Sequence, residues 1–102
     1  MEFEIIHVPE QRMFKTEIEG RTAFVQYRLL NGCLDIIHTI VPRPLEGNGI
    51  AAALVKAAYD YALANGLKPK ATCSYAVKWL QRHPELNDKY ISSREIRIYV
   101  GL

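Results

Sequence analysis

Two glycines separated by one residue, Gly47 and Gly49, lie between an apolar run that ends at Pro42 and a helical pattern that follows. Without a Cβ, glycine can adopt a positive φ and turn successive backbone N–H groups into one concavity. The first N–H groups of a helix have no intrahelical acceptor and lie at the positive end of the helix dipole, so they bind phosphate groups. The segment from Pro42 to Ala51 therefore predicts an anion-binding turn, although the same glycines could simply close a tight connection.

The turn does not match the common nucleotide-binding motifs. No Gly-Lys-Ser/Thr follows it, as a Walker P-loop requires, and the third glycine and later acidic residue of a dinucleotide fingerprint are missing. The sequence therefore favours neither ATP nor NAD.

An imidazole and a thiol are the side chains best suited to chemistry near this turn. His38 lies in the apolar run before Pro42, and its ordinary pKa of about 6.5 suits a general base. Cys73 comes at the expected end of a later strand, at the edge where open α/β sheets bind ligands. Either could instead be structural, as a satisfied histidine or a small buried thiol.

The remaining histidines and the second cysteine carry no predicted role. Cys33 lies beside a hairpin turn, and His7 and His83 are interpreted as structural or exposed. Because these residues are dispersed without metal-ligand spacing, we expect no metal site.

Apolar periodicity and turn residues predict how the chain would position these groups. Gly20 and the pair Asn31-Gly32 predict two hairpins, Pro42 and Pro44 end the strand that follows them, and Gly66 ends a helix. The predicted strands cover residues 3–7, 12–19, 22–30, 34–41 and 68–74, and the predicted helices cover residues 48–65 and 75–82. Residues 94–100 alternate as a final strand or extended arm would.

These elements predict an α/β fold with a mixed sheet. Antiparallel N-terminal strands are followed by a βαβ unit, joined through a right-handed crossover, and by a short C-terminal helix. A length of 102 residues with 49% hydrophobic content predicts a single domain over residues 1–102, as a monomer or weak homodimer.

Charge and cysteine content limit the partners and the compartment. The net charge of +2 is scattered along the chain, which argues against nucleic acid. The first residues lack the pattern of a signal peptide, and no apolar run approaches the length of a membrane span. With only two cysteines, a cytoplasmic protein with reduced thiols and no membrane association is expected.

Several motifs together resemble the minimal GNAT N-acetyltransferases, the short single-domain members of that superfamily, related in pattern to bacterial YjdJ-like proteins. The resemblance covers about residues 20–90. The motifs that carry it are His38-Thr39-Ile40-Val41-Pro42, Leu45-Glu46-Gly47-Asn48-Gly49-Ile50-Ala51, Leu54-Val55, Cys73-Ser74-Tyr75 and His83-Pro84-Glu85.

The resemblance implies a reduced GNAT fold that binds acetyl-coenzyme A. Backbone N–H groups of the turn would receive the pyrophosphate, and the end of the preceding strand would pair with the pantetheine arm. The implied turn residues are Leu45, Glu46, Gly47, Asn48, Gly49, Ile50 and Ala51, and the implied strand residues are Ile40, Val41 and Pro42. Pro44 stands where relatives carry Gln or Arg, and Glu46 and Asn48 stand where relatives often carry a basic residue, which would weaken the binding of phosphate.

The implied activity is transfer of an acetyl group to an amine, either a protein lysine or N-terminus or a small amine. His38 would be the general base, and Cys73 either an acyl carrier or a general acid, since the matching pair is regarded as catalytic in relatives. One alternative is a non-catalytic module that binds or senses acyl-coenzyme A. Another is an interaction protein whose glycine turn is only architectural.

Overall fold

Five strands form one mixed sheet in which each strand lies beside its neighbour in sequence, in the order β1-β2-β3-β4-β5. The computed structural model describes residues 2–87 and 89–90. The strands are β1 (Ile6–Val8), β2 (Met13–Ile18), β3 (Arg21–Leu30), β4 (Cys33–Ile40) and β5 (Lys68–Ala71), the helices are α1 (Ile50–Ala64) and α2 (Ser74–Gln81), and short 3₁₀ turns cover Pro9–Gln11 and Arg43–Leu45. Residues 85–87 and 89–90 are again helical.

The pairing of the strands confirms the predicted fold class. Strands β1 to β4 are antiparallel to their neighbours, and β5 is parallel to β4. Helix α1 connects β4 to β5, as the predicted βαβ unit requires, and α2 follows β5. The first strand is shorter than predicted and starts at Ile6, because only Ile6, His7 and Val8 have partners on β2. Phe3 and Ile5 pack against the core without joining the ladder.

Helix α1 begins two residues later than the predicted start at residue 48. Its N-cap, Gly49, has φ of 75°, which lies in the left-handed region, so the right-handed helix cannot include it. At the other end, Asn65 caps the helix and Gly66 has φ of 69°. The helix packs one face on the sheet with six buried residues, Ile50, Leu54, Val55, Ala58, Tyr59 and Ala62.

Strand β5 ends at Ala71, three residues before the predicted end. The backbone N–H groups of Thr72 and Cys73 both donate to the carbonyl oxygen of Ile36, at 3.0 and 3.1 Å, so the parallel ladder stops there. Cys73 is therefore the N-cap of α2 instead of a strand residue. The fully buried residue of α2 is Ala76, and Trp79 and Leu80 pack partly buried against the core.

Two findings bear on the remaining sequence predictions. The predicted final strand or arm over residues 94–100 lies outside the described residues. Across residues 2–87 and 89–90, no helix combines the length and the apolar character needed to cross a membrane.

Candidate active site

A cavity of about 470 Å³ opens where β4 ends and α1 begins. Its walls come from the end of β4, the turn that follows, the first turn of α1 and one residue of α2. The lining residues are Thr39, Val41, Leu45, Glu46, Gly47, Gly49, Ile50, Ala51, Ala52 and Tyr75. Most of the turn predicted to bind an anion thus borders one cavity.

The two glycines of the turn both adopt left-handed backbone conformations. Gly47 has φ of 81° and Gly49 has φ of 75°, and a Cβ at either position would meet nothing within 4 Å. No side chain caps the N-terminus of α1. The N–H groups of the first helical turn, from Ile50 to Ala52, therefore have neither an intrahelical acceptor nor a capping side chain where they border the cavity.

Three residues of the predicted binding set do not line the cavity. Asn48 folds its side-chain amide back to donate to the carbonyl oxygens of Leu45, at 3.0 Å, and Glu46, at 3.4 Å. It thereby shapes the turn from within. Pro42 caps the 3₁₀ turn, and the side chain of Ile40 is 48% exposed.

A bulge in β4 determines which side chains face the cavity. Ile36 lies opposite Tyr27, but the next pair joins His38 to Gln26, so Ile37 is an extra residue in β4. Before the bulge, buried Leu34 and Ile36 share the core face. Because the extra residue reverses the alternation, Thr39 takes the core and cavity face after the bulge, and His38 takes the opposite face.

The same region separates β4 from β5. Their last pair joins Ile36 to Ala71, whereas β4 continues to Ile40. On its β5 side, the final stretch of β4 therefore has no strand partner among the described residues. Such an edge offers backbone N–H and C=O groups to an extended ligand.

Cys73 lies next to the cavity, beside Thr39. Its thiol donates to the hydroxyl oxygen of Thr39 over 3.4 Å. Burial acts to raise the pKa of the Cys73 thiol, but hydrogen bonds from the Thr39 hydroxyl and from the backbone N–H groups of Ala76, Tyr75 and Thr39 outweigh it and lower the pKa. A thiolate at a helix N-terminus is the usual setting of a reactive cysteine.

His38 is exposed and forms no hydrogen bond with Cys73. Among the described residues its imidazole has no hydrogen-bond or ion-pair partner. No hydrogen bond therefore joins the two residues of the predicted catalytic pair, and the thiol is paired with Thr39. A catalytic role for His38 stays a prediction, and it would have to act from the face of β4 opposite the cavity.

The other two histidines have structural partners. His7 Nε2 lies 2.7 Å from the hydroxyl oxygen of Tyr27, and its ring stacks on Phe14. His83 stacks on Trp79 and contacts Glu85 over 2.9 Å. In the described part of the chain, no group of three or more His, Cys, Asp or Glu residues is placed to hold a metal ion.

The cavity is also lined by three residues that were not among the predicted site residues, Thr39, Ala52 and Tyr75. Thr39 and Val41 are two residues apart in an extended segment, and residues at that spacing lie on the same face of a strand. This spacing could have indicated that both face the cavity. Ala52 belongs to the first turn of α1, and Tyr75 belongs to the first turn of α2. The N-termini of the two helices therefore both border the cavity.

Comparison with known proteins places this geometry in context. The family model described as GCN5-related N-acetyl-transferase matches residues 13–89. Protein NATD1 of Xenopus tropicalis is 32% identical over 81 residues, covering 76% of this chain and 74% of its own length, and Protein NATD1 of Homo sapiens is 32% identical over 81 residues, covering 76% and 72%. The solution structure of a GCN5-like protein from Staphylococcus aureus is similar with a TM-score of 0.67 and 32% identity, covering 83% of this chain and 84% of that one.

Proposed function

The chain belongs to the GCN5-related N-acetyltransferase family, and on that premise we propose that it transfers an acetyl group from acetyl-coenzyme A to an amine. One observation carries the proposal: the uncapped N-terminus of α1 and two left-handed glycines border a cavity beside a thiol of lowered pKa. The two free cysteines fit a reducing compartment such as the cytoplasm.

The turn would hold the pyrophosphate of the substrate through its backbone. The N–H groups of Leu45 and Glu46 already donate to the carbonyl oxygens of Pro42 and Arg43, so the predicted donor set shortens at its start. The N–H groups from Gly47 to Ala52 would supply the donors, and the absence of a Cβ at Gly47 and Gly49 leaves space for a close approach. The free edge of β4 would receive the amides of the pantetheine arm. Glu46 also lines the cavity, and its carboxylate would repel the phosphates.

Cys73 would react at the thioester. As an acyl carrier, its thiolate attacks the carbonyl carbon, the bond from that carbon to the sulfur of coenzyme A breaks, and coenzyme A leaves as a thiolate. The amine then attacks the acetyl group on Cys73, which forms the amide and regenerates the thiolate. As a general acid, Cys73 instead gives its proton to the departing thiolate during direct attack by the amine. The lowered pKa increases the thiolate fraction at neutral pH and so favours the carrier role.

His38 would take the proton that the amine loses when it forms the amide bond. Its imidazole is exposed and unpaired in the described part of the chain, but it lies on the face of β4 opposite the cavity, so the proton would have to reach it through solvent. The acceptor would be a protein lysine or N-terminus, or a small amine.

A turnover screen with acetyl-coenzyme A and several amines tests the activity. We expect the wild type and Cys33→Ser, the matched control at the other free cysteine, to form coenzyme A and acetylated amine, and Cys73→Ser and His38→Ala to be much slower. Equal rates in wild type and His38→Ala would remove His38 from the mechanism. Intact mass after incubation without an amine separates the two roles of Cys73, because only the carrier route adds an acetyl group to it.

A module that binds acyl-coenzyme A without turnover is the second candidate. Two observations favour it: the Cys73 thiol is hydrogen-bonded to Thr39 and not to His38, and the acidic residue Glu46 lines the cavity. Binding of acetyl-coenzyme A without product from any amine and without acetylated Cys73 would support this candidate over the transferase.

A further inference from the structure

A buried carboxylate that the proposed reaction does not use lies one strand position from the gap between β4 and β5. Asp35 of β4 is only 1% exposed. A buried carboxylate is costly unless it is paired and hydrogen-bonded. The hydrogen-bond partners of Asp35 should therefore show which parts of the chain its carboxylate holds in position.

Two side chains satisfy Asp35. Arg28 of β3, directly opposite on the ladder, donates from Nε to Oδ2 over 2.9 Å. Thr72 places its hydroxyl 3.0 Å from Oδ1 and 2.8 Å from Oδ2. Arg28 is half exposed, whereas Thr72 belongs to the segment that leaves β5.

The bond to Thr72 acts at the residue just before Cys73. The backbone N–H groups of Thr72 and Cys73 both donate to the carbonyl oxygen of Ile36, which follows Asp35 in β4. Two consecutive residues of β4 thus hold the segment that follows β5: Asp35 through its side chain and Ile36 through its backbone carbonyl. Beyond this point the thiol of Cys73 reaches Thr39 at the cavity.

We infer that Asp35 and Thr72 form a clamp that positions the Cys73 thiol at the edge of the cavity. Both are positioning residues, because neither lines the cavity and they act through Cys73. The clamp matters to catalysis only under the proposed function, in which Cys73 reacts, but its effect on the thiol can be measured without any acetyl transfer.

One titratable side chain from α1 also faces this region. Tyr59 donates its hydroxyl to the carbonyl oxygen of Lys70 over 2.7 Å. Burial, then the charge of Asp35, then that of Cys73 raise the pKa of Tyr59, so it stays neutral across the pH range of a thiol titration. Changes in the titration of Cys73 in clamp variants would therefore not come from Tyr59.

The test is the rate of alkylation of Cys73 by iodoacetamide as a function of pH, followed by peptide mass on the full-length chain. Cys33 in the same molecule is the internal reference, since it lies at the start of β4 away from the cavity. Thr72→Val removes the hydroxyl and keeps the shape, and Thr72→Ser restores the hydroxyl. Thr22→Val, at an exposed position of β3, is the matched control. Asp35→Asn is a second variant, which keeps the size of the side chain and removes its charge.

In Thr72→Val we expect alkylation of Cys73 at pH 7 to slow about three- to tenfold, because a displaced thiol loses hydrogen bonds that stabilise its thiolate. Alkylation of Cys33 should not change, and Thr72→Ser should restore the wild-type profile. Asp35→Asn, where it folds, should act in the same direction as Thr72→Val.

Two results would overturn the clamp: an unchanged Cys73 profile in Thr72→Val, or a parallel acceleration at Cys33 and Cys73, which would mean that the bond only contributes to stability. The proposed function can fail separately. If wild type transfers no acetyl group but the Thr72 variants still shift the Cys73 profile, the clamp stands and the transferase proposal falls.

Discussion

Under the proposed function, the chemistry of this site depends on the Cys73 thiol, and the neighbours of that thiol set its pKa. Thr39 and the start of α2 stabilise the thiolate against the cost of burial. The sequence predicted Cys73 as a reactive residue but paired it with His38. The observed partner, Thr39, could not be predicted from the sequence. The extra residue Ile37 reverses the alternation of β4, so Thr39 faces the cavity, where uninterrupted alternation with Leu34 and Ile36 would place His38.

Replacing Thr39 with Val should raise the pKa of Cys73. The variant removes a hydrogen bond to the thiolate, and bonds to charged groups contribute roughly 1.5–3 kcal/mol, so we expect roughly tenfold slower alkylation at pH 7. Thr39→Ser, which keeps the hydroxyl, is the control. A Thr39→Val profile that matches the wild type would show that this bond does not tune the thiol.

Replacing Glu46 with Lys should tighten the binding of acetyl-coenzyme A. Glu46 lines the cavity beside the glycine turn, where its charge would oppose the phosphates under the proposed function. Reversing that charge should lower the dissociation constant roughly three- to tenfold, measured by calorimetry at low salt. Glu4→Lys makes the same charge change at an exposed residue outside the cavity and should have little effect. Equal tightening in both variants would mean that only the net charge matters.

The turn between β4 and α1 is the element that gives the cavity its donors. Its position was predictable, because two prolines end a strand and two glycines precede a helical pattern. The start of α1 and the end of β5 were not predictable, because each depends on one local geometry. The left-handed φ of Gly49 delays the start of α1, and the shared carbonyl acceptor at Ile36 ends β5. Turn chemistry thus locates an element better than it defines its bounds.

Replacing Gly49 with Ala should reduce both stability and binding. A left-handed φ costs a residue with a Cβ about 1–2 kcal/mol, and each kcal/mol lowers the melting temperature by about 4–8 °C in a domain of this size. The added Cβ would also project into space that the substrate needs, so we expect a severalfold weaker affinity for acetyl-coenzyme A by calorimetry.

Gly20→Ala is the matched control for this variant. Gly20 has φ of 74° in the β2–β3 hairpin, and a Cβ there also meets nothing within 4 Å. It should lose similar stability and bind acetyl-coenzyme A as the wild type does. If Gly49→Ala also binds normally, the turn does not contact the substrate.

At the scale of the whole molecule, a cluster of rings joins the N-terminal strands to the helix. His7 of β1 stacks on Phe14 of β2, hydrogen-bonds Tyr27 of β3 and contacts Tyr61 of α1. The mixed sheet that these elements build followed from hairpin signals and helical periodicity in the sequence. The ring cluster could not be predicted from those signals, because it depends on the register of three strands against one helix.

Acid should weaken the fold through His7. Burial lowers the pKa of His7 and the charge of Glu10 opposes this only in part, so the folded state favours the neutral ring. The contribution to stability is therefore complete above the unfolded pKa of about 6.5 and is lost as the pH falls below it. Melting temperatures between pH 7.5 and 5.5 should decline less steeply in His7→Phe, which keeps a ring that cannot titrate. Equal slopes in both proteins would contradict this role.

Under the proposed function, the glycine turn binds acetyl-coenzyme A with its thioester near Cys73. Titration of the isotope-labelled protein with acetyl-coenzyme A, followed by backbone amide resonances in NMR, tests it residue by residue. We predict shifts concentrated at the cavity, in the amides of Thr39, Gly47, Gly49, Ala51 and Tyr75, with those of the β2–β3 hairpin unchanged. No shift in the glycine turn at millimolar ligand, or shifts confined to another surface, would contradict the account.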